Sequence, residues 1–357
     1  MNAHVKNVRA FLAKRDIDAF LIKSKTMKKY LGTLTGSGCN VLVTTERGFL
    51  IMDGRYVNEA SERERDLEFR VHAQGEGYLG ELREALASCG CKTLAVEADA
   101  IRVPEYRELE RLGFELVLLG DEVARMRMVK DDAEVAAVQR AVDLADDVYA
   151  RVIERLRVGM TEHEVGALVQ YYTLSAGAEA MSFDTIVGTG PHSALPHGRP
   201  TDRVIQPHEP VLIDFGAQLD GYQSDMTRVC FLGEPVERMR EMYEVVLAAQ
   251  LTGIDAIRPG MAARDVDAAA RKVIADAGYG EYFTHGLGHG IGLGGDLPLL
   301  NQSGDVVLGE GMIMSCEPGV YLPGVGGVRI EDDVVLRDGV GCPMNTTSKQ
   351  LLVLDVR

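Results

Sequence analysis

The sequence predicts an α/β (α+β) chain of two domains: an N-terminal α/β unit at residues 1–127 and a larger second domain at residues 128–357, built as two related halves. Three observations carry this reading. Apolar segments of helix and strand period alternate up to about residue 125; a pattern around Gly159 returns around Gly260; and the middle of the chain holds a tight hairpin flanked by aspartates.

In the first domain, Val5, Val8 and Leu12 recur at helical spacing, and Asp18-Ala-Phe-Leu-Ile22 reads as a strand. Val41-Leu-Val43 and Phe49-Leu-Ile-Met52 read as a hairpin across Glu46-Arg-Gly48. Glu81 to Leu86, Leu94-Ala-Val96, Glu105 to Leu112 and Leu116-Val-Leu-Leu119 complete the alternation, with no constellation of catalytic residue types. The pattern changes at Asp131-Asp132, a helix start. Val135, Val138, Val142, Ala145, Val148, Val152 and Leu156 then follow at three-to-four spacing, with Gly159 as the stop. Thr161-Glu-His-Glu164 has the form of a capping box opening the next helix.

The second domain echoes itself. Arg157-Val-Gly159-Met160 returns as Arg258-Pro-Gly260-Met261, Val165 as Val266, and Ala176-Gly177 as Ala277-Gly278. Each copy is followed by strand-like segments that end in acidic residues, Asp214 and Asp225 in one half, Glu317 and Glu331 in the other. Duplicated halves about a pseudo-twofold axis bring these two pairs together in the middle.

Asp220-Gly221 between apolar runs is a hairpin signal, because both residues of the tight turn need positive φ. With Leu219 paired to Tyr222, Asp225 falls opposite Gly216, one same-face step from Asp214, and the glycine leaves room there. Four acidic groups converging at the ends of apolar strands cost too much to bury unpaired, so they imply metal or neutralising bases. With His289 they form an oxygen-rich set of five, which suits Mn(II), Co(II) or Fe(II) in higher coordination better than a structural tetrahedral zinc. Four negative charges balance two divalent cations sharing a hydroxide, an arrangement that generates a nucleophile at neutral pH. The run Gly290-Ile-Gly292-Leu-Gly-Gly295 fits a dinucleotide pattern, but Asp296-Leu-Pro298 stands where a helix should open, so nucleotide binding is rejected.

Composition narrows the rest. A formal charge of −16 argues against nucleic acid or an anionic membrane surface as partner. The first twenty residues carry charges throughout and no later stretch has the length of a bilayer span, which leads to the expectation of a cytoplasmic protein. Six scattered cysteines read as reduced packing residues.

The ordered segments Tyr30-Leu-Gly32, Gly36-Ser-Gly38, Asp53-Gly-Arg-Tyr56, Phe183-Asp-Thr-Ile-Val187, Ala194-Leu-Pro-His-Gly198, Asp214-Phe-Gly216, Ser224-Asp-Met-Thr-Arg228, His285 to Gly292, Glu317-Pro-Gly-Val-Tyr321 and Gly327-Val-Arg-Ile-Glu-Asp332 span nearly the whole chain. They resemble those of the pita-bread metallopeptidases, in the Xaa-Pro branch of aminopeptidase P and prolidase. The resemblance implies a creatinase/prolidase-like N-terminal domain, a pita-bread catalytic domain, and a homodimer that cleaves short peptides at Xaa-Pro with two divalent metal ions, Mn2+ foremost and Co2+, Zn2+ or Fe2+ as alternatives. It implies that Asp214 chelates one metal, His289 and Glu317 bind the other, and Asp225 and Glu331 bridge them. Glu317 would also shuttle the proton, His197 contact the substrate, His285 line the proline pocket, and Arg329 partner the metal carboxylates beside the substrate.

One departure stands out. Relatives of this kind continue after His-Gly-Ile-Gly-Leu with Glu-x-His-Glu, whereas here Gly294-Gly295-Asp296-Leu297 follows. Asp296 occupies the place of a catalytic histidine that donates to substrate, and an ionised Asp only accepts. Lower activity, a substitute donor such as His192, a cationic group recognised by Asp296, or a non-peptide substrate would each accommodate this. The rivals to an Xaa-Pro peptidase are therefore a hydrolase of another C–N bond on the same scaffold and a binding protein without catalysis.

Overall fold

The computed structural model describes residues 3–356 apart from 65, 74 and 76, as two compact units that divide between Arg127 and Met128. In the first unit the helix Ala3–Arg15 buries Val5, Val8 and Leu12, the stripe its spacing predicts. A six-stranded sheet runs in the order Glu68–His72, Gly48–Asp53, Cys39–Thr44, Ala19–Ile22, Thr93–Glu97, Glu115–Leu119. Cys39–Thr44 is antiparallel to both its neighbours, with Val41 opposite Leu50 as the predicted hairpin requires, and the remaining pairs are parallel.

The second unit carries the duplication into three dimensions. Helices Asp132–Arg155 and Glu162–Ser175 answer to Glu237–Ala256 and Ala263–Asp276. The turn glycines Gly159 and Gly260 adopt φ of 92° and 85°, and each donates its N–H to the carbonyl of a crossing segment, at Ile205 and Leu308. Thr161 and Glu164 form the predicted capping box. The first helix ends at Arg155, ahead of the predicted stop, because Leu156 is already extended and Gly159 belongs to the turn beyond.

Two sheets bring the halves' strands to the centre. One runs Leu352–Leu354, Met226–Leu232, Pro210–Phe215, Ile186–Thr189; the other runs Asp296–Leu300, Gly288–Gly290, Ile313–Cys316, Asp332–Arg337, Val340–Pro343. Their outward faces pack on the helix pairs, the first pair over Val211, Ile213 and Phe215, the second over Met314, Val334 and Leu336. The inward ends are left to polar groups.

The central hairpin has the predicted register. Leu219 pairs with Tyr222, Asp220 and Gly221 take φ of 51° and 86°, and the same pairing continues to Met226 opposite Phe215 and Thr227 opposite Asp214. At Gly216 the reason for the glycine differs from the expectation. A Cβ there would lie 1.8 Å from the Ser224 carbonyl oxygen, so close backbone approach, rather than room for the Asp225 side chain, requires it.

Candidate active site

Each acidic residue of the set sits at or beside a strand end. Asp214 lies near the end of Pro210–Phe215, Asp225 immediately before Met226–Leu232, Glu317 immediately after Ile313–Cys316, and Glu331 between Gly326–Arg329 and Asp332–Arg337. One oxygen each from Asp214, Asp225 and Glu331 lie within 4.8 Å of one another. His289, central in the short strand Gly288–Gly290, places Nε2 at 3.5 Å from both Asp225 Oδ2 and Glu317 Oε1. The fold thus brings all five residues together.

Their polar accounts do not close within the protein. Asp214 Oδ2 accepts from Arg329 Nη2, while Oδ1 is buried with no partner among the described residues. Glu331 Oε2 accepts from the Thr227 hydroxyl at 2.5 Å, while Oε1 is buried with no partner among the described residues. Each such orphan costs about 1–3 kcal/mol. The His289 Nδ1–H donates to the Gly290 carbonyl at 3.2 Å, so Nε2 turns a lone pair toward the two carboxylates. Burial pushes Asp225 and Glu331 well above the ordinary carboxylate range, and neighbouring carboxylates push the same way. Burial raises Asp214 and Glu317 too, partly offset by Arg329 and by His289. Orphaned acceptors, a lone pair aimed at anions and four crowded carboxylates are chemistry suited to a divalent cation, and the residues fit one.

A cavity of about 530 Å³ opens onto this cluster, walled also by Phe183, His197, Gln223, His285 and the backbone of Gly294 and Gly295. His197 is exposed, and among the described residues its ring has no hydrogen-bond partner. His285 is the opposite case. Its Nδ1–H donates to the Gly286 carbonyl at 2.7 Å, its Nε2 accepts from the Tyr321 hydroxyl at 2.8 Å, and burial lowers its pKa to about 4. It therefore offers the cavity a neutral ring surface and no free donor.

Arg329 also borders the cavity, but its guanidinium is committed to protein groups: Asp214, the Tyr321 hydroxyl at 2.7 Å, the Pro196 carbonyl at 3.2 Å and the Thr227 hydroxyl at 3.0 Å. Burial works against its charge, yet Tyr321 and the carboxylates hold its pKa above the usual value. Asp296 is buried in Asp296–Leu300 and is not among the residues that wall the cavity. Its Oδ2 accepts from Gly294 N at 3.2 Å, and a Cβ built on Gly292 would lie 2.4 Å from that oxygen and 2.9 Å from Lys130 Cε. The side chain thus supports the Gly294–Gly295 turn from behind. His192, the suggested substitute donor, lies off the cavity wall with Nδ1 on the Glu162 carboxylate.

Sequence reasoning missed Thr227, Tyr321 and Asp333. Thr227 bonds Glu331 and Arg329, Tyr321 links Arg329 to His285, and Asp333 accepts the Asp225 backbone N–H at 2.9 Å. A signal existed for Thr227, which stands two residues from Asp225 and so on the same strand face.

Comparison with known proteins decides the family. The profile of Metallopeptidase family M24 matches residues 136–338 and that of the Creatinase/Prolidase N-terminal domain matches residues 4–129. The chain belongs to metallopeptidase family M24. A Xaa-Pro dipeptidase of Pyrococcus horikoshii is 36% identical over 356 residues, 99% of either chain. Among solved structures, a Xaa-Pro dipeptidase from Bacillus anthracis superposes with a TM-score of 0.94 at 34% identity, covering 98% of this chain and 99% of that one. An X-Pro aminopeptidase from Thermotoga maritima gives 0.89 at 35% identity, covering 96% and 99%. This M24 member is therefore a metallopeptidase with the expected two-part fold, and neither the non-catalytic rival nor the non-peptide hydrolase is favoured. Among the described residues no helix is long and apolar enough to cross a membrane.

Proposed function

We propose that this metallopeptidase hydrolyses Xaa-Pro bonds in short peptides, as a Xaa-Pro dipeptidase or aminopeptidase, with two divalent ions held by Asp214, Asp225, His289, Glu317 and Glu331. The observation that carries the proposal is the convergence of these five side chains, with buried acceptors left over, on a cavity of peptide size. Full-length similarity to Xaa-Pro dipeptidases supports the substrate class. Asp214 would hold one ion, His289 and Glu317 the other, and Asp225 and Glu331 both. The hard oxygen set favours Mn2+, with Co2+, Zn2+ or Fe2+ able to occupy the same donors.

When bound, the ions would activate a water and polarise the scissile carbonyl. Glu317 takes the proton that this attack releases and returns it to the leaving imino nitrogen, a task suited to a carboxyl whose pKa burial has raised. Only an unengaged ring donates to a substrate oxygen, and His197 is unengaged among the described residues. His285 holds a neutral ring against the prolyl side and keeps polar groups out of that contact. Arg329 fixes the orientation of Asp214 and, through Pro196, the loop on which His197 stands. Asp296 acts only indirectly, by holding the Gly294–Gly295 turn that shapes the cavity wall.

The test is hydrolysis by metal-free enzyme reloaded with Mn2+, Co2+ or Zn2+, on Ala-Pro, Ala-Pro-Ala, Met-Ala-Ala and Ala-Ala. Metal-dependent cleavage confined to the proline substrates is expected, and the ratio of the first two separates dipeptidase from aminopeptidase. Equal cleavage of Ala-Ala, or none of any peptide with metal bound, would overturn the proposal. The same reading has the enzyme acting as a cytoplasmic homodimer, and light scattering at the mass of two chains checks the second half of that statement.

A further inference from the structure

We infer that Glu162 is a positioning residue for His197: one buried carboxylate staples both ends of the loop that presents this ring to the cavity. The inference rests on the substrate contact proposed for His197.

Glu162 opens the helix Glu162–Ser175 and is 0% exposed. It accepts five donors. Ahead of loop 195–200 these are Thr189 N at 2.8 Å, the Thr189 hydroxyl at 2.9 Å and His192 Nδ1 at 2.9 and 2.8 Å from its two oxygens. Beyond the loop they are Thr201 N at 3.0 Å and the Thr201 hydroxyl at 2.6 Å. A buried carboxylate is costly unless saturated, and this one is saturated by groups on either side of one short loop. The helix N-terminus adds a favourable field. These donors hold its pKa below the ordinary value although burial works the other way.

The loop has few holds of its own. Leu195, His197 and Arg199 are exposed, and the His197 ring bonds to no described residue. Its internal tie is Gly198 N to the Leu195 carbonyl, its link inward is the Pro196 carbonyl on Arg329, and Arg199 adds a solvent-exposed ion pair to Asp184 at 2.8 Å, of the kind that contributes little. Where the ring stands is therefore set largely by where its ends are fixed.

The duplicated half supplies a control. The position equivalent to Glu162 at the start of the answering helix is Ala263, also 0% exposed, and that helix begins with the same backbone pairing although no carboxylate stands at that position. The helix pair does not need the acid to form. It occurs in the half that carries the His197 loop.

The experiment is a double-mutant cycle on the metal-loaded enzyme, with kcat/KM for Ala-Pro and metal content as readouts. His197→Ala should lower kcat/KM by about a hundredfold through loss of the substrate donor. Glu162→Gln should cost about tenfold, because the amide NH2 must face donors and the loop shifts, a misplacement effect remote from the chemistry. Metal content should be unchanged in both. In the His197→Ala background Glu162→Gln should cost less than about twofold, since residues coupled through one shift of the backbone are not additive. Thr201→Val, which removes a single hydroxyl and spares the carboxylate, should show the same pattern at about threefold and serves if Glu162→Gln does not fold. Losses that multiply in the double variants would overturn the positioning role and leave the His197 contact standing. Full activity in His197→Ala would remove the contact and the positioning with it.

Discussion

Glu331 and Asp332 are neighbours in sequence and almost equally buried, at 1% and 0% exposure, yet the fold treats them in opposite ways. Asp332 is neutralised by the protein: Arg228 at 2.6 Å, Lys349 at 2.5 Å and the Gln250 amide at 3.2 Å converge on its two oxygens. Glu331 receives one hydroxyl, keeps one oxygen without a partner among the described residues, and is crowded by Glu317 and Asp214, which Arg329 offsets only in part. Glu331, just before the strand Asp332–Arg337, and Asp332, its first residue, reach different surroundings, and these settle the role of each. Asp332, supplied with its own cations, holds the fold together, whereas Glu331 keeps an acceptor open to a cation from outside.

The largest effect that sharpens this contrast is Glu331→Gln. The variant should lose hydrolysis of Ala-Pro by more than about a thousandfold, since it removes a metal ligand and the neighbouring charge balance. The same change should raise the melting temperature of the metal-free protein, because it removes the repulsion of Glu331 with Asp214, Asp225 and Glu317; a lower metal-free Tm would break the contrast. Asp332→Asn should do the reverse. Leaving Arg228 and Lys349 without their carboxylate should destabilise the fold by about 3–5 kcal/mol in denaturant titrations.

Next in size is a pH effect. The folded-state pKa values of Asp225 and Glu331 are raised above their unfolded values, so the metal-free native state retains protons that the unfolded chain releases. Stability of the metal-free protein therefore falls as pH climbs from the ordinary carboxylate range through the raised values. Chelation should depress Tm more at about pH 8 than at about pH 5, and a depression independent of pH would contradict the crowding of these acids. The smallest effect is Tyr321→Phe, which removes the hydroxyl between Arg329 and His285 and should lower kcat/KM about threefold. Since His285 titrates at about 4, its ionisation should leave no inflection near the usual histidine value of about 6.5 in the wild-type profile.

What was legible in the sequence was what local chemistry dictates. The Asp220-Gly221 turn set the register of the central hairpin, the echo around Gly159 and Gly260 gave the duplicated helix pairs, and acids ending apolar strands named the converging set. What was not legible depends on partners far along the chain. Thr227 reaches Glu331 across 104 positions, and only the pairing of distant strands reveals that its hydroxyl matters. Asp296 shows the same limit. The ladder between Gly288–Gly290 and Asp296–Leu300 shifts register between His289 and Gly290, setting Asp296 opposite Gly290, and this decides that its carboxylate lies behind the cavity wall. Glu162 read as the residue after a helix cap, and its five donors become visible only once the loop folds back on it.

The most direct measurement is the metal content of folded protein equilibrated with Mn2+, compared among wild type, Glu331→Gln and Asp332→Asn. Two ions per wild-type chain, fewer in Glu331→Gln and two in every folded molecule of Asp332→Asn are expected. A full complement in Glu331→Gln, or its loss in folded Asp332→Asn, would contradict the assignment of the open carboxylates to metal and the neutralised one to the fold.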